Sequence, residues 1–340
     1  MALTENTLST TTLQLIRKRM ADNIFKANPL SAWLLMKGRV KTESGGKRID
    51  EPLMYATNAT VQAYKGYDRL NVFPTEELTN AQFAWRQGAA TVSISGLEEL
   101  QNAGESAVFN MLKTKIKVAD LSLRQWLAEK LMANSATKDL VRDFLGLDEL
   151  IEDLAGASQG TVGGIDRVTE TWWRNYYADT SATTLGASTS LLTKLLGTTY
   201  LQVTKGLTQP DLILTDAIGF QRYEDDNRGF LRLMDTRLME VGFTNLKFKG
   251  ATMMWDENIQ SGTQITGGAG TPHTSAAGND HLFYFINSEY FGVTLHARRN
   301  FVMTPFVTPY DQDAQVAQIL LAGNSTVCNS RFQGVIKVRE

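Results

Sequence analysis

The stretch Thr91-Val-Ser-Ile-Ser95 is followed directly by Gly96 and then by a long amphipathic segment that ends near residue 134. The first five residues alternate in polarity, which predicts a short strand. The later segment carries apolar residues three or four positions apart, which is the period of one helix face. At 1.5 Å per residue, a helix over residues 105–133 would be roughly 40 Å long, far longer than the average globular helix. Its apolar positions are Val108, Leu112, Ile116, Ala119, Leu123, Leu127 and Leu131.

The length and composition predict a globular protein with two packed units. The 340 residues exceed the size at which one core stops growing, and 43% of them are hydrophobic. The formal net charge of −2 does not favour a surface that binds nucleic acid as a whole. Cys328 is the single cysteine, which excludes a disulfide within the chain and fits a reducing compartment. The chain has neither an apolar run near the ~18 residues that span a bilayer nor a secretory pattern, so we expect a soluble protein made in a cytoplasm.

Ahead of the long helix, residues 40–90 form a polar excursion without a helical pattern. Val40 to Ile49 predicts a strand, a Gly45-Gly46 turn and a second strand. Because a two-stranded ribbon is marginally stable alone, we expect this one to gain its order by packing against another chain. Further apolar runs occur at 53–55, 61–64 and 70–73, and residues 81–87 predict the returning strand.

The first 37 residues form a polar arm with one predicted helix, near residues 12–26, and a short apolar patch at Trp33-Leu-Leu-Met36. Such an arm packs either on a neighbouring subunit or on its own domain. Basic residues are concentrated in the first fifty positions, where three interpretations stay open: contact with nucleic acid phosphates, pairing with acidic residues of a neighbour, or a plain solvated surface. These residues are Arg17, Lys18, Arg19, Lys37, Arg39, Lys41, Lys47 and Arg48.

Behind the long helix, residues 140–154 predict a shorter helix whose carboxylates Asp148, Glu149, Glu152 and Asp153 form a solvated face, with a divalent-cation site as the alternative. The glycine-rich stretch 156–164 then marks a boundary. Residues 261–278, rich in Gly, Thr, Ser and Ala, predict a surface loop that is either functional or simply tolerated. The other elements predicted are helices at 191–204 and 217–225 and strands at 210–215, 246–248, 252–255, 282–286, 293–295, 316–321 and 334–338.

The strongest enzymatic motif is Gly156-Ala-Ser-Gln-Gly160, which matches the nucleophile-elbow pattern. That motif requires a strand before the serine and a helix after it, whereas the flanking sequence predicts a helix before and none after. His273, His281 and His296 lack the spacing of a metal site. We therefore expect no catalytic, cofactor or metal site and no enzyme; a serine hydrolase using Ser158 is the distant alternative.

The polar arm and the long hairpin are followed by Gly96-Leu-Glu-Glu99, which opens toward the long helix, and then by an α/β unit. Further distinctive stretches along the chain are Gly163-Gly-Ile-Asp-Arg167, Trp172-Trp-Arg174, Asp211-Leu-Ile-Leu-Thr-Asp216, Thr252-Met-Met-Trp-Asp256, Leu320-Leu-Ala-Gly-Asn324 and Arg331-Phe-Gln-Gly334. Taken in order, these features resemble tailed-bacteriophage major capsid proteins of the HK97-like fold family.

The resemblance implies an α+β chain with the HK97-like capsid fold. The amino terminus carries no long charged helix, so a separate scaffolding protein, or none, is implied. The implied parts are an N-terminal arm (1–37), an extended β-hairpin loop (38–92), a peripheral domain with the long spine helix (93–164), an axial α/β domain (165–300) and C-terminal strands that return mainly to the peripheral domain (301–340).

The implied function is that of a major head protein, which self-assembles through pentamers and hexamers into an icosahedral shell around double-stranded DNA. Its implied partners are itself, a scaffolding protein, a portal, a decoration protein and packaged DNA held by non-specific contact, with no membrane and no cofactor. It would be assembled in the host cytoplasm and reside in the virion. The alternatives are an encapsulin-like shell around protein cargo and another phage structural subunit. The candidate intersubunit contacts are Trp33, Lys47, Arg48, Tyr55, Tyr64, Tyr67, Arg69, Trp85 and Arg86.

Overall fold

The computed structural model describes residues 28–101, 111–133, 138–180, 190–226, 245–259 and 280–339. Within these ranges the α-helices are α1 Pro29–Met36, α2 Gly96–Gln101, α3 Met111–Met132, α4 Leu147–Leu150, α5 Ser190–Val203 and α6 Ala217–Asp226. The strands are β1 Val40–Glu43, β2 Ile49–Met54, β3 Leu78–Phe83, β4 Arg86–Ser95, β5 Thr161–Val162, β6 Ile165–Asp166, β7 Tyr176–Asp179, β8 Leu212–Thr215, β9 Asn245–Phe248, β10 Ala251–Trp255, β11 Asp280–Ile286, β12 Phe291–His296, β13 Val302–Met303, β14 Ala314–Val327 and β15 Gly334–Arg339. Short 3-10 helices occur at Gly156–Ser158, Thr171–Trp173 and Ser330–Phe332.

The chain divides into two compact units that do not follow the order of the sequence. The described part of the first unit comprises residues 89–101, 111–125 and 301–320. The second unit contains the rest of the described chain, including residues 28–88 and 138–180. The domain boundaries implied by the resemblance stay a prediction.

The long helix is present as α3, and the strand before it extends from Arg86 to Ser95. The described 22 residues of α3 correspond to roughly 33 Å at the standard helical rise. The predicted apolar stripe is buried at Ala119, Leu123 and Leu131. Its first position, Val108, lies outside the described residues, as do the predicted helix at 12–26 and the loop at 261–278.

In the first unit, residues 301–320 contact both α3 and the residue that follows β4. Val302 of β13 pairs with Leu320 of β14, and the guanidinium of Arg124 lies 4.5 Å from the centre of the Phe301 ring. The backbone N–H of Gly96 donates to the carbonyl of Asp313 at 3.1 Å. These contacts join segments far apart in sequence into one small unit.

The second unit is built on a six-stranded sheet in the order β7-β15-β11-β8-β10-β9. Helices α5 and α6 lie where the apolar periodicity predicted helices, and the predicted strands between residues 210 and 295 are all present. The core against this sheet contains Leu196, Phe220, Met253, Phe285 and Ile336, all buried. Strand β15 contributes to this sheet, whereas β14 pairs with β4, β12 and β13 in a separate five-stranded sheet.

The predicted local hairpin at residues 40–49 is wrong. Strand β1 pairs in parallel with β12, with Val40 opposite Val293, and β2 pairs antiparallel with β3, with Ile49 opposite Phe83. A hairpin closed at Gly45-Gly46 would have carried only two apolar side chains, Val40 and Ile49, and could not have buried them on itself. Pairing with distant strands instead buries Ile49 completely.

The predicted acidic helix at residues 140–154 is also wrong, because only α4, Leu147–Leu150, is helical there. Its carboxylates do not form a solvated face. Glu149 pairs with Lys138 at 3.0 Å, Glu152 lies 3.8 Å from the guanidinium of Arg167, and Asp153 pairs with Lys337 at 3.2 Å. Lysine and arginine side chains from three other segments therefore pair with these carboxylates. The local sequence does not predict such pairs.

Candidate subunit interface

The candidate site begins with a two-stranded ribbon, β2 and β3, whose two faces differ in burial. Ile49, Leu53, Ala81 and Phe83 point inward and are buried, while the alternating residues are exposed. Strand β3 ends at Phe83 and β4 begins at Arg86, so the single returning strand predicted at residues 81–87 is interrupted at Ala84 and Trp85.

The inner face of the ribbon packs on the tight hairpin that joins β5 and β6. The N–H of Gln82 donates to the carbonyl of Gly163 at 2.8 Å. A Cβ atom on Gly163 would lie 2.9 Å from the Cβ of Ala81, and its φ of +63° also favours glycine. A glycine is therefore required where the ribbon meets the body of the unit.

Glu51 lies on the same inner face and is 6% exposed. Its carboxylate accepts hydrogen bonds from Lys41 Nζ at 3.1 and 3.3 Å, from Thr326 Oγ1 at 3.2 Å and from Cys328 Sγ at 3.1 Å. One buried carboxylate therefore joins the ribbon to β1 and to the carboxyl end of β14.

Cys328 is predicted to be chemically inert in the folded subunit. Burial, together with the neighbouring Glu51 carboxylate, raises the pKa of its thiol to about 12. Since the thiolate is the reactive form, alkylation by iodoacetamide at pH 8 should be on the order of 10³-fold slower than in the urea-unfolded chain. Equal rates in the two states would contradict this environment.

Between Met54 and Leu78 the chain forms a long segment without helix or strand, here called the extended segment (residues 55–77). Its two ends meet, since the N–H of Tyr55 donates to the carbonyl of Glu77 at 3.1 Å. The Tyr55 ring lies 5.4 Å from the ring of Trp172, which fixes the base of the segment. The apolar runs noted at 61–64 and 70–73 therefore lie in neither a strand nor a helix.

The extended segment exposes a group of large apolar side chains. Tyr67 is 106% exposed, and Val72 and Phe73 are 88% and 76% exposed. Single exposed apolar residues are ordinary, whereas several of them on one short segment are typical of an interaction surface. The group comprises Val61, Tyr64, Tyr67, Leu70, Val72 and Phe73 within the segment, flanked by Met54 and Leu78 at its base.

Three of the nine predicted contact residues lie on the extended segment and are exposed: Tyr64, Tyr67 and Arg69. Lys47 and Arg48 are exposed just before β2, where Arg48 donates to the side chain of Gln82. These five positions have side chains that a neighbour can reach, and their role as contacts stays a prediction.

The other four are engaged within the chain. Trp33 is 3% exposed in α1, and the ammonium of Lys37 lies 4.8 Å from its ring centre. The indole of Trp85 donates to the carbonyl of Gly46 at 3.0 Å, and Arg86 donates to the carbonyl of Asp143. Tyr55 packs on Trp172, as described above.

The residues that the sequence interpretation missed are Val72, Phe73 and Glu51. The first two belong to the short apolar run 70–73, whose pattern does not reveal whether its side chains are buried or exposed. Glu51 lies two positions after Ile49 and two positions before Leu53, so strand alternation alone places its carboxylate inward.

The alternative chemistries find no support in the described part of the chain. Ser158 ends an exposed 3-10 helix with no strand leading into it. His281 is buried with its Nδ1 2.8 Å from Asp216, and His273 lies outside the described residues. Among the residues described, none group as three or more potential metal ligands, and no helix is long and apolar enough to cross a membrane.

The basic amino-terminal region is described only in part, since Arg17, Lys18 and Arg19 lie outside the described residues. Lys37 lies 3.5 Å from Asp211, and Lys41 pairs with Glu51 at 3.1 Å. Both of these cations therefore have partners within the same chain.

No family model and no curated protein sequence matches this chain. Solved structures do match it along its whole length. The capsid asymmetric unit of cyanophage A-1(L) has a TM-score of 0.63 at 15% identity, covering 98% of this chain and 99% of that one. The holo-SrpI encapsulin complex from Synechococcus elongatus has a TM-score of 0.57 at 9% identity, covering 99% and 95%. A structure from Mycobacterium phage Bobi has a TM-score of 0.54 at 13% identity, covering 100% of both chains.

These similarities confirm the predicted fold: the chain has the α+β, HK97-like capsid fold. Each of these comparisons covers nearly all of this chain.

Proposed function

We propose that this chain, which has the HK97-like capsid fold, is the major capsid subunit of a tailed bacteriophage. It assembles through pentameric and hexameric rings into an icosahedral shell that encloses double-stranded DNA. The observation that carries the proposal is the extended segment, an exposed apolar surface on an anchored ribbon within a chain of capsid fold. A capsid subunit has no catalytic task, which agrees with the expectation that the chain is not an enzyme.

The mechanism follows from the geometry of the extended segment. A surface that projects from one subunit and binds a different surface of the next makes a heterologous contact, and such contacts close into rings when the rotation permits. Each contact can be modest, because several are made at once by every subunit in a shell. In this proposal the segment lies over a neighbouring subunit, with Tyr64, Tyr67, Val72 and Phe73 buried in the contact and Lys47, Arg48 and Arg69 pairing at its edge.

We also propose a division of the chain, a set of partners and a location for the protein. Residues 1–37 form the arm, 38–92 the extended loop, 93–164 the peripheral domain, 165–300 the axial domain and 301–340 the returning strands. The partners are further copies of the chain, a separate scaffolding protein, a portal, a decoration protein and packaged DNA in non-specific contact. The protein is assembled in the host cytoplasm and resides in the virion.

An encapsulin-like shell around protein cargo is the second candidate, and a specific observation favours it. The encapsulin complex matches this chain over 99% of its length, and the TM-score of 0.57 lies between those of the two phage structures. Both candidates use the same subunit contacts and differ in what the shell encloses.

The test is to express the chain alone and to examine the fast-sedimenting fraction of a sucrose gradient by negative-stain electron microscopy. We expect closed or aberrant shells. If the chain stays monomeric, it is co-expressed with candidate scaffolding proteins; monomers in every combination would contradict the proposal. Mass spectrometry and nucleic acid analysis of native particles then separate the candidates, since a single bound cargo protein without DNA would favour the encapsulin-like shell.

A further inference from the structure

Glu51 is a carboxylate at a position that strand alternation reserves for apolar residues. Strand β2 alternates between buried and exposed positions, with Ile49, Glu51 and Leu53 inward and Asp50 outward. A charged group taken out of water costs several kcal/mol in general unless polar partners replace the lost hydration. The position therefore requires an explanation other than apolar packing.

The partners of Glu51 come from two other parts of the second unit. Oε1 accepts from Lys41 and Thr326, and Oε2 accepts from Lys41 and Cys328, at distances of 3.1 to 3.3 Å. Thr326 and Cys328 are 275 and 277 positions away in the chain. Both oxygens are thus bound by donors whose positions are set by β1 and β14, not by the ribbon.

Such a buried pair contributes little to stability over a well-packed apolar residue, but it can determine which arrangement forms. A shift of β2 by one residue would turn Glu51 outward and leave its three donors without their acceptor. Apolar neighbours would tolerate small displacements of the ribbon, because their contacts are not directional. Hydrogen bonds are directional, so the carboxylate restricts the ribbon to one register and one tilt.

We propose that Glu51 is a positioning residue for shell assembly, because its hydrogen bonds to Lys41, Thr326 and Cys328 set the direction in which the extended segment projects. The inference rests on the proposed function, in which that segment contacts a neighbour. Met54 pairs with Leu78, and the segment begins immediately after them, so any tilt of the ribbon is passed directly to the segment.

The test compares Glu51→Leu with Asp50→Leu, a matched removal of a carboxylate from the outward face of the same strand. Spin labels are attached at Tyr67→Cys and Thr198→Cys, two exposed positions of the second unit, in a Cys328→Ser background whose hydroxyl still donates to Glu51. Pulsed electron paramagnetic resonance then gives the distance distribution between the labels in the unassembled subunit. Shell formation by the unlabelled variants is scored by electron microscopy.

We expect Glu51→Leu to lower the thermal midpoint, because Thr326 and Cys328 lose their acceptor while the half-exposed Lys41 can return to water. The variant should also broaden or shift the distance distribution and lower the yield of closed shells at least tenfold. Asp50→Leu should leave all three measurements unchanged. Glu51→Gln is the isosteric second variant, used if the leucine disturbs folding. It keeps an oxygen acceptor but loses the negative charge that pairs with Lys41. Its distance distribution and its shell yield should lie between those of the wild type and Glu51→Leu.

An unchanged distance distribution in both Glu51 variants would overturn the inference, whatever their assembly. Closed shells of normal diameter and yield from Glu51→Leu would also overturn it. If the wild type itself forms no shells with any scaffold, the proposed function fails, while the distance measurement still decides whether Glu51 sets the direction of the segment.

Discussion

Replacing residues 57–75 with a short Asn-Gly turn should abolish shell assembly and leave a folded monomer. The two ends of the extended segment already meet, since Tyr55 and Glu77 share a hydrogen bond and Met54 pairs with Leu78. A tight turn can therefore join β2 to β3 without moving either strand. The removed residues contribute no buried apolar side chain to the described core, so the thermal midpoint should change little.

The assembly effect should be large because the deletion removes every aromatic side chain of the exposed group. Burying one large apolar side chain contributes about 1.5–3 kcal/mol, and about 1.4 kcal/mol corresponds to a tenfold change in affinity. Losing only two such residues from each contact would therefore weaken it about a hundredfold or more, and every contact in the shell is affected alike. Sedimentation and electron microscopy measure the outcome.

A matched pair of substitutions separates this effect from a general loss of apolar surface. Tyr67→Ser with Phe73→Ser should lower shell yield strongly, whereas Leu201→Ser with Leu207→Ser, also exposed but outside the extended segment, should lower it far less. Normal shells from the shortened chain would remove the extended segment from the mechanism.

Arg167→Met should destabilise the second unit by about 3–5 kcal/mol, the range found when one partner of a buried ionic network is removed. The Arg167 side chain is fully buried and donates to Asn175 Oδ1 at 2.7 Å and to the carbonyls of Glu149 and Leu150 at 2.7 and 3.2 Å. Burial lowers the pKa of Arg167 to about 10, partly opposed by Glu152, so the guanidinium stays charged at neutral pH.

Methionine fills a similar volume but donates no hydrogen bond, so the substitution leaves those three acceptors without their buried donor. Urea unfolding followed by circular dichroism measures the change. Arg142→Met is the control, because the Arg142 side chain is 87% exposed and pairs with Asp139 at 3.6 Å. It should change the free energy of unfolding by less than about 0.5 kcal/mol. Equal effects at the two positions would show that the network around Arg167 does not stabilise the fold.

The neighbouring residues in the sequence do not predict that Arg167 is buried and Arg142 exposed. Both arginines stand in stretches rich in charged and small residues, and neither pattern predicts burial. The same holds for Lys138, whose side chain is fully buried beside Glu149. Burial of these charges depends on where α4, β6 and the loop after α3 come together, which the local sequence does not encode.

The sequence predicted the region of the candidate site but not all of its residues. The polar excursion, its returning strand and the exposure of Tyr64 and Tyr67 follow from composition and alternation. The exposure of the apolar residues Val72 and Phe73 was not predicted, because a short apolar run in isolation does not reveal whether another element packs on it. Glu51 was also missed: strand alternation places its carboxylate inward, but the sequence gives no indication of its three donors.

The sequence by itself determined where the long helix, the helices α5 and α6 and most of the strands lie, because helical and strand periodicities are properties of neighbouring residues. Only the tertiary structure decided the partner of each strand: β1 joins β12 instead of β2, and β14 and β15 enter different sheets. It likewise decided which charges are buried and which apolar side chains stay exposed. Those outcomes depend on contacts between residues hundreds of positions apart, and the free energy of such contacts is set by the assembled core.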